Sequence, residues 1–266
     1  MTNNKPMREW NAETYHRVSS PQFTWGQRVL DRLPLAGAET VLDVGCGTGR
    51  LTDFVAERVP RGEVVAIDAS ANMLDVARTF LQPRHGNRVT YVRADAAALP
   101  IAGRADAIFS TATFHWVLDH DRLFRSLFTA LKPGGRLVSQ CGGGPNIQRL
   151  KERAGALLRE APFARYFDRW QGPWLYADAD ATAKRLEAAG FVDVDTSVQP
   201  EPTVMPDEAA FREFITNVIC HPYLAVLPEG ELRTCFIDRL TARAAADTPP
   251  YELDYWRLNI SARRPA

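Results

Sequence analysis

The chain has 266 residues, 45% hydrophobic and 24% charged, and its 32 basic side chains balance 32 acidic ones. Such a neutral chain is expected to bury a sizeable core, and its charge argues against binding nucleic acid through bulk positive charge. No run of about 18 apolar residues is available to span a membrane. The start, MTNNKPMREW, lacks an apolar signal core, so a cytoplasmic setting is expected. Cys46, Cys141, Cys220 and Cys235 form no Cys-x-x-Cys pair, so no zinc site is expected.

The first half alternates strand and helix. Strands are predicted at 39–45, 62–68, 88–94, 106–111 and 135–141, and helices at 22–33, 49–58, 70–80, 119–131 and 146–159. Regular alternation predicts an α/β fold with a mostly parallel sheet and helices on both faces. Lys132-Pro-Gly-Gly135 predicts a break between a helix and the next strand.

The first strand runs into VLDVGCGTGR (41–50), with Gly45, Gly47 and Gly49 at alternate positions. Alternate glycines let the chain turn sharply and let a ligand approach the main chain. Asp43 stands near the carboxyl end of that strand, where open α/β sheets bind ligands. The spacing differs from the G-x-G-x-x-G that sets a helix N-terminus against a pyrophosphate. An anionic Asp43 is a poor neighbour for a pyrophosphate and suits a cationic amino group.

The next three strands also end in chemistry. Asp68 closes the second, 23 residues after Gly45, where a carboxylate can accept from ribose hydroxyls; Ser70 is the better cap for the following helix. Asp95 closes the third unit. The fourth ends near Ser110 or Thr111, and Phe114-His115-Trp116 follows it.

After Gly142-Gly-Gly-Pro145 the pattern changes. Residues 162–176 are unusually aromatic, 178–189 read as a helix stopped by Gly190, and 191–198 as a strand. A proline-rich link, 199–206, leads to helices at 207–219 and 229–246 and a strand-like run at 251–263. The aromatic stretch and the 207–246 helices read either as a cap over the sheet's ligand edge or as additional core packing.

VLDVGCGTGR resembles motif I of the class I S-adenosylmethionine-dependent methyltransferases. The resemblance implies a Rossmann-like, seven-stranded sheet whose last strand is antiparallel and lies inside the edge. It implies one domain over 1–266: a cofactor-covering leader (1–35), a cofactor-binding core (36–145 with 178–198 and 249–266) and a cap (146–177 and 199–248). It implies S-adenosylmethionine as methyl donor, held by Asp43, Gly45, Cys46, Gly47, Asp68, Ala69, Met73, Asp95, Ala96 and Thr111, with S-adenosylhomocysteine as product.

The run HWV followed by Asp119-His120 resembles a narrower group, the trans-aconitate, malonyl-carrier-protein and juvenile-hormone-acid methyltransferases. Trp10-Asn11, Tyr15, Gln22 and Trp25 resemble that group's leader, which folds over the cofactor. Aromatic faces such as Tyr15 and Trp25 favour a sulfonium by roughly 0.5–2 kcal/mol. The group implies a small carboxylate acceptor, which is ionised near neutral pH and needs no general base. For a phenol or amine acceptor a base would help, and His115 is the first candidate. His115, Trp116, Tyr166, Arg169, His221 and Tyr223 are the expected substrate residues, and Arg165, Arg169, Arg212 and His221 the cations available to an anionic acceptor. Asn217-Val-Ile-Cys220 departs from the group's pattern and puts trans-aconitate itself in doubt. A methyltransferase acting on nitrogen, carbon or a phenolic oxygen is the alternative reading, and a non-catalytic S-adenosylmethionine-binding module another.

Overall fold

The computed structural model describes residues 20–266. Its centre is a seven-stranded sheet of order β3-β2-β1-β4-β5-β9-β6. In chain order the strands are β1 (Thr40–Val44), β2 (Glu63–Asp68), β3 (Val89–Arg93), β4 (Ala105–Thr111), β5 (Leu131–Gly142) and β6 (Val192–Pro200). A short ribbon pairs β7 (Thr203–Val204) with β8 (Glu252–Leu253), and β9 (Trp256–Arg263) ends the series. The strands β1 to β5 run parallel, and β9 is antiparallel between β5 and β6, as expected.

Nine α-helices are described: α1 (Ser20–Asp31), α2 (Arg50–Arg58), α3 (Ala71–His85), α4 (His120–Ala130), α5 (Gln148–Leu157), α6 (Ala179–Ala188), α7 (Glu208–Phe214), α8 (His221–Leu224) and α9 (Glu231–Ala245). The strand period of two assigns β1 to both faces of the sheet. Val41 packs with Val29, Val55 and Leu74 of α1, α2 and α3. Leu42 packs with Leu123, Phe124 and Leu186 of α4 and α6. A third cluster joins Trp25, Leu150, Phe163, Phe211, Tyr223 and Phe236. Its members Ile147, Val218, Ile219 and Tyr255 meet the carboxyl ends of β1 and β2 around one cavity.

The structure corrects several predicted boundaries. Helix α3 continues past residue 80 to His85, through Pro83. In the last turn a proline forfeits one backbone hydrogen bond, and Gly86 then donates to the Gln82 carbonyl. The expected break at Lys132–Gly135 is a bulge within β5: Ala105 pairs with Leu131, Ala107 already with Arg136, and Gly134 N donates to Arg264 O at 3.1 Å. The predicted helix 207–219 is α7 followed by a π-helical turn, Ile215–Ile219, closed by Cys220 N donating to Ile215 O. The final run is split into β8 and β9.

Candidate functional site

A cavity of about 650 Å³ opens at the carboxyl ends of β1, β2 and β4. β1 pairs with β2 on one side and β4 on the other, so this is the switch point at which open α/β sheets bind ligands.

The glycine loop is tied to β2 by its backbone. Gly45 N and Cys46 N both donate to Ile67 O, at 2.7 and 3.0 Å. Gly45 has φ +78°, and a Cβ there would meet Thr113 Oγ1 at 1.9 Å. Only glycine meets both demands. At Gly47 a Cβ would face open space, so the loop presents bare backbone to the cavity.

Asp68 bridges two loops. Its Oδ2 accepts from Gly47 N at 2.9 Å and its Oδ1 from Ser70 N at 2.9 Å. Ser70 caps α3, its Oγ accepting from Met73 N at 3.2 Å, as expected. Asp95 caps the 3-10 turn Ala96–Ala98 by accepting from Ala97 N at 2.9 Å. Asp43 lies just beneath the loop, 2% exposed, and accepts from Thr52 Oγ1 at 2.6 Å. Burial raises its carboxyl to about 7; the Thr52 hydrogen bond opposes the shift and the Asp68 charge adds to it.

His115 belongs to a 3-10 turn, Phe114–Trp116, that follows β4. Its Nδ1 stands 3.2 Å from Gly142 N. A backbone N–H only donates, so Nδ1 holds a lone pair and the neutral ring carries its proton on Nε2. The ring lies against Trp116 (5.1 Å between centroids) and Tyr176 (5.6 Å), and its carbonyl accepts from Leu175 N at 2.9 Å. The aromatic stretch is thereby pinned to the turn after β4.

Of the expected residues, Gly45, Gly47, Asp68, Ala69, Met73, Asp95, Ala96, Thr111, His115, Trp116 and His221 line this cavity. Asp43 and Cys46 line a smaller adjoining hollow of about 60 Å³ that shares Gly45, Gly47 and Thr111. Four expected residues are not brought to it. Trp25 is 5% exposed and buried in the third cluster, edge-on to Tyr255 at 5.1 Å. Tyr223 packs in the same cluster against Trp170 and Phe236. Tyr166 lies at that cluster's edge, its hydroxyl accepting from Arg165 Nη2, and Arg169 is exposed on the loop after it. Tyr15, with Trp10 and Asn11, lies outside the described residues. Of the four cations proposed for an anionic acceptor, His221 alone lines the cavity; Arg212 pairs with Asp238.

The sequence reading missed Arg257, the second residue of β9. It lines the cavity, is 3% exposed, and its guanidinium lies 4.6 Å from the Trp25 ring centroid and 5.7 Å from that of Tyr255. The β5–β9 register sets Arg257 opposite Gly142. Asn146 and Tyr176 were missed too. Asn146 is buried, accepts from Trp256 N at 2.9 Å and hydrogen-bonds the Tyr176 hydroxyl. Burial pushes the Tyr176 phenol well above its ordinary value, with the Asn146 hydrogen bond and the Arg257 charge opposing.

The cavity suits an adenosyl sulfonium amino acid: bare glycine backbone at one end, half-buried Asp68 beside it, buried Asp43 below and aromatic walls beyond. Among the described residues no three His, Cys, Asp or Glu side chains are grouped to hold a metal ion, and no helix is long and apolar enough to cross a membrane.

Comparison with known proteins gives the same direction. Residues 41–135 match the family described as "Methyltransferase domain". The chain is 34% identical over 238 residues to trans-aconitate 2-methyltransferase of Paracidovorax citrulli, covering 85% of each protein. It is 31% identical over 257 residues to trans-aconitate 2-methyltransferase of Methylobacterium radiotolerans, covering 92% of each. Its fold matches a Haemonchus contortus phosphoethanolamine N-methyltransferase 2, solved with S-adenosylhomocysteine, at a TM-score of 0.62 and 20% identity, over 96% of this chain and 57% of that one. Sheet order, glycine loop and relatives thus converge, and the chain belongs to the class I S-adenosylmethionine-dependent methyltransferases.

Proposed function

We propose that this methyltransferase esterifies a carboxylate oxygen of a small molecule. The observation that carries the reading is the hydrogen bond from Gly142 N to His115 Nδ1. It leaves His115 with a proton, not a lone pair, on Nε2. His115, which lines the cavity after β4, is therefore a donor. It orients an anionic oxygen and does not strip a proton from a phenol or an ammonium. A carboxylate needs no such base, because it is already ionised. The trans-aconitate 2-methyltransferases among the relatives act, by their name, on a carboxylic acid.

When bound, S-adenosylmethionine supplies an activated methyl group on a positively charged sulfur. In this reading Asp68 receives the ribose hydroxyls while the Gly47 and Ser70 N–H groups hold its carboxylate still. Asp95, with Ala96, would face the adenine amino group, and Met73 and Ala69 would pack beside the ring. Asp43, beneath the loop at Gly45, Cys46 and Gly47 with Thr111 beside it, would stabilise the amino group of the methionyl end. Residues 146–177 and 199–248 supply the acceptor wall. They shield the transfer from water and align the acceptor oxygen for in-line displacement.

The test is transfer of labelled methyl from S-adenosylmethionine to a panel of small acids, amines and phenols. Label on acids supports the reading; label confined to amines or phenols contradicts it.

A further inference from the structure

The charge and wall chemistry of the acceptor end narrow the substrate further, and the narrowing rests on the carboxylate reading above. We propose that the acceptor carries a single carboxylate on a flat apolar body, and that Arg257 is the side chain that selects it.

Charge is the first observation. Among the described residues lining the cavity, Arg257 is the lone guanidinium and no lysine is present. Asp68 and Asp95 line the opposite end, and His115 is neutral by its hydrogen bond to Gly142. One guanidinium matches one carboxylate in a two-pronged hydrogen-bonded pair. A tricarboxylate would bring three negative charges to a cavity that already holds two aspartates. Among the described lining residues its second and third carboxylates would meet no further guanidinium or ammonium, only the imidazole of His221.

The walls are the second observation. Trp116, Trp174 and Tyr176 line the cavity together with His115 and Arg257, and so do Pro173, Val218 and Ile219. Trp174 and Tyr176 are nearly parallel, at 14°, and Trp116 lies 5.7 Å from Trp174 between centroids. Flat ring faces bury a flat apolar body well and offer little to a polar chain bearing two further carboxylates. The π-helical turn at Ile215–Ile219 brings both Val218 and Ile219 to this wall.

The third observation is that Arg257 is held in place. Its guanidinium sits over Trp25 and near Tyr255, and its backbone is fixed in the sheet opposite Gly142. The cation is thus carried by a strand and not by a mobile loop, the placement expected of a group that sets the acceptor's orientation.

The experiment compares kcat/KM for benzoate, phenylacetate and cinnamate against trans-aconitate and citrate, with each product tested for release of methanol by mild alkali. The same panel is run on Arg257→Gln and Arg257→Lys, with melting temperature and S-adenosylhomocysteine affinity measured for each. The expected result is at least a tenfold preference for the aromatic monoacids. In Arg257→Gln their KM rises at least tenfold at unchanged S-adenosylhomocysteine affinity, and Arg257→Lys recovers part of the loss. Alkali-labile product formed preferentially on the tricarboxylates would overturn this proposal and leave the carboxylate reading standing. Alkali-stable product on phenols or amines would overturn both. Unchanged KM in a folded Arg257→Gln would remove the selective role of Arg257. Should that variant not fold, the wild-type preference and Arg257→Lys still decide the outcome.

Discussion

Gly142 stands opposite Arg257 in the β5–β9 ladder and donates its N–H to His115 Nδ1 at 3.2 Å. One backbone unit therefore fixes the protonation pattern of the histidine and the position of the strand that carries the cation. A Cβ at Gly142 would meet Asn146 Nδ2 at 2.7 Å and Tyr176 Cε1 at 2.8 Å. Gly142→Ala is expected to displace that pair, raise acceptor KM severalfold and leave S-adenosylhomocysteine affinity within about twofold, since the cofactor end is untouched. Calorimetric titration and steady-state kinetics read the two effects separately.

Asp68 is expected to act mainly through ribose. Asp68→Ala should weaken S-adenosylhomocysteine binding on the order of 1–3 kcal/mol, as for a lost charged hydrogen-bonding partner, and also loosen the glycine loop at Gly47. Unchanged affinity in a folded variant would contradict the ribose role.

Asp43 is expected to link cofactor binding to stability. Its carboxyl has an ordinary value of 3.8 and is raised by burial to about 7 in the folded protein. Between those values the folded state binds more protons than the unfolded state, so stability falls as pH rises and levels off above about 7. Asp43→Asn keeps an acceptor for Thr52 and removes this penalty. The ligand-free variant should therefore melt higher than wild type at pH 8, by a gain on the order of a few kcal/mol, with little difference near pH 4. Its affinity for S-adenosylhomocysteine should fall. A lower melting temperature at pH 8 would contradict the buried-charge cost.

His115 is expected to orient and not to take up a proton. At saturating cofactor, kcat for an acid acceptor should show no ascending limb near the histidine range. His115→Gln, which can still donate, should lose less activity than His115→Ala, which on mutational precedent for a lost donor falls about 10²–10³-fold in kcat. An ascending limb that disappears in His115→Gln would assign it as a base.

The sheet and the loop and acids at the ends of its strands, which line one cavity, were legible because each is a local pattern. Alternating apolar residues, alternate glycines at 45, 47 and 49, and acids at strand ends need no knowledge of distant contacts. The part of the cavity around Arg257 was not, because it is assembled across the chain. Trp25 reads as a cofactor-facing aromatic, yet it packs one helical turn from Val29 on the buried face of α1 and seats Arg257, a residue 232 positions later. Arg257 itself is one arginine in a strand-like run, and only the β5–β9 register sets it opposite Gly142. The π turn at 215–219 also escaped notice, since Phe211, Phe214, Ile215 and Val218 fit an ordinary helical period.

Chemical lability of the transferred methyl group is the most direct measurement of all. Labelled product formed from S-adenosylmethionine and a small acid is treated with mild alkali. Release of the label as methanol is the expected result, because a methyl ester hydrolyses and a methylated amine, carbon or phenol does not. Label that stays on the product through that treatment would contradict transfer to a carboxylate oxygen.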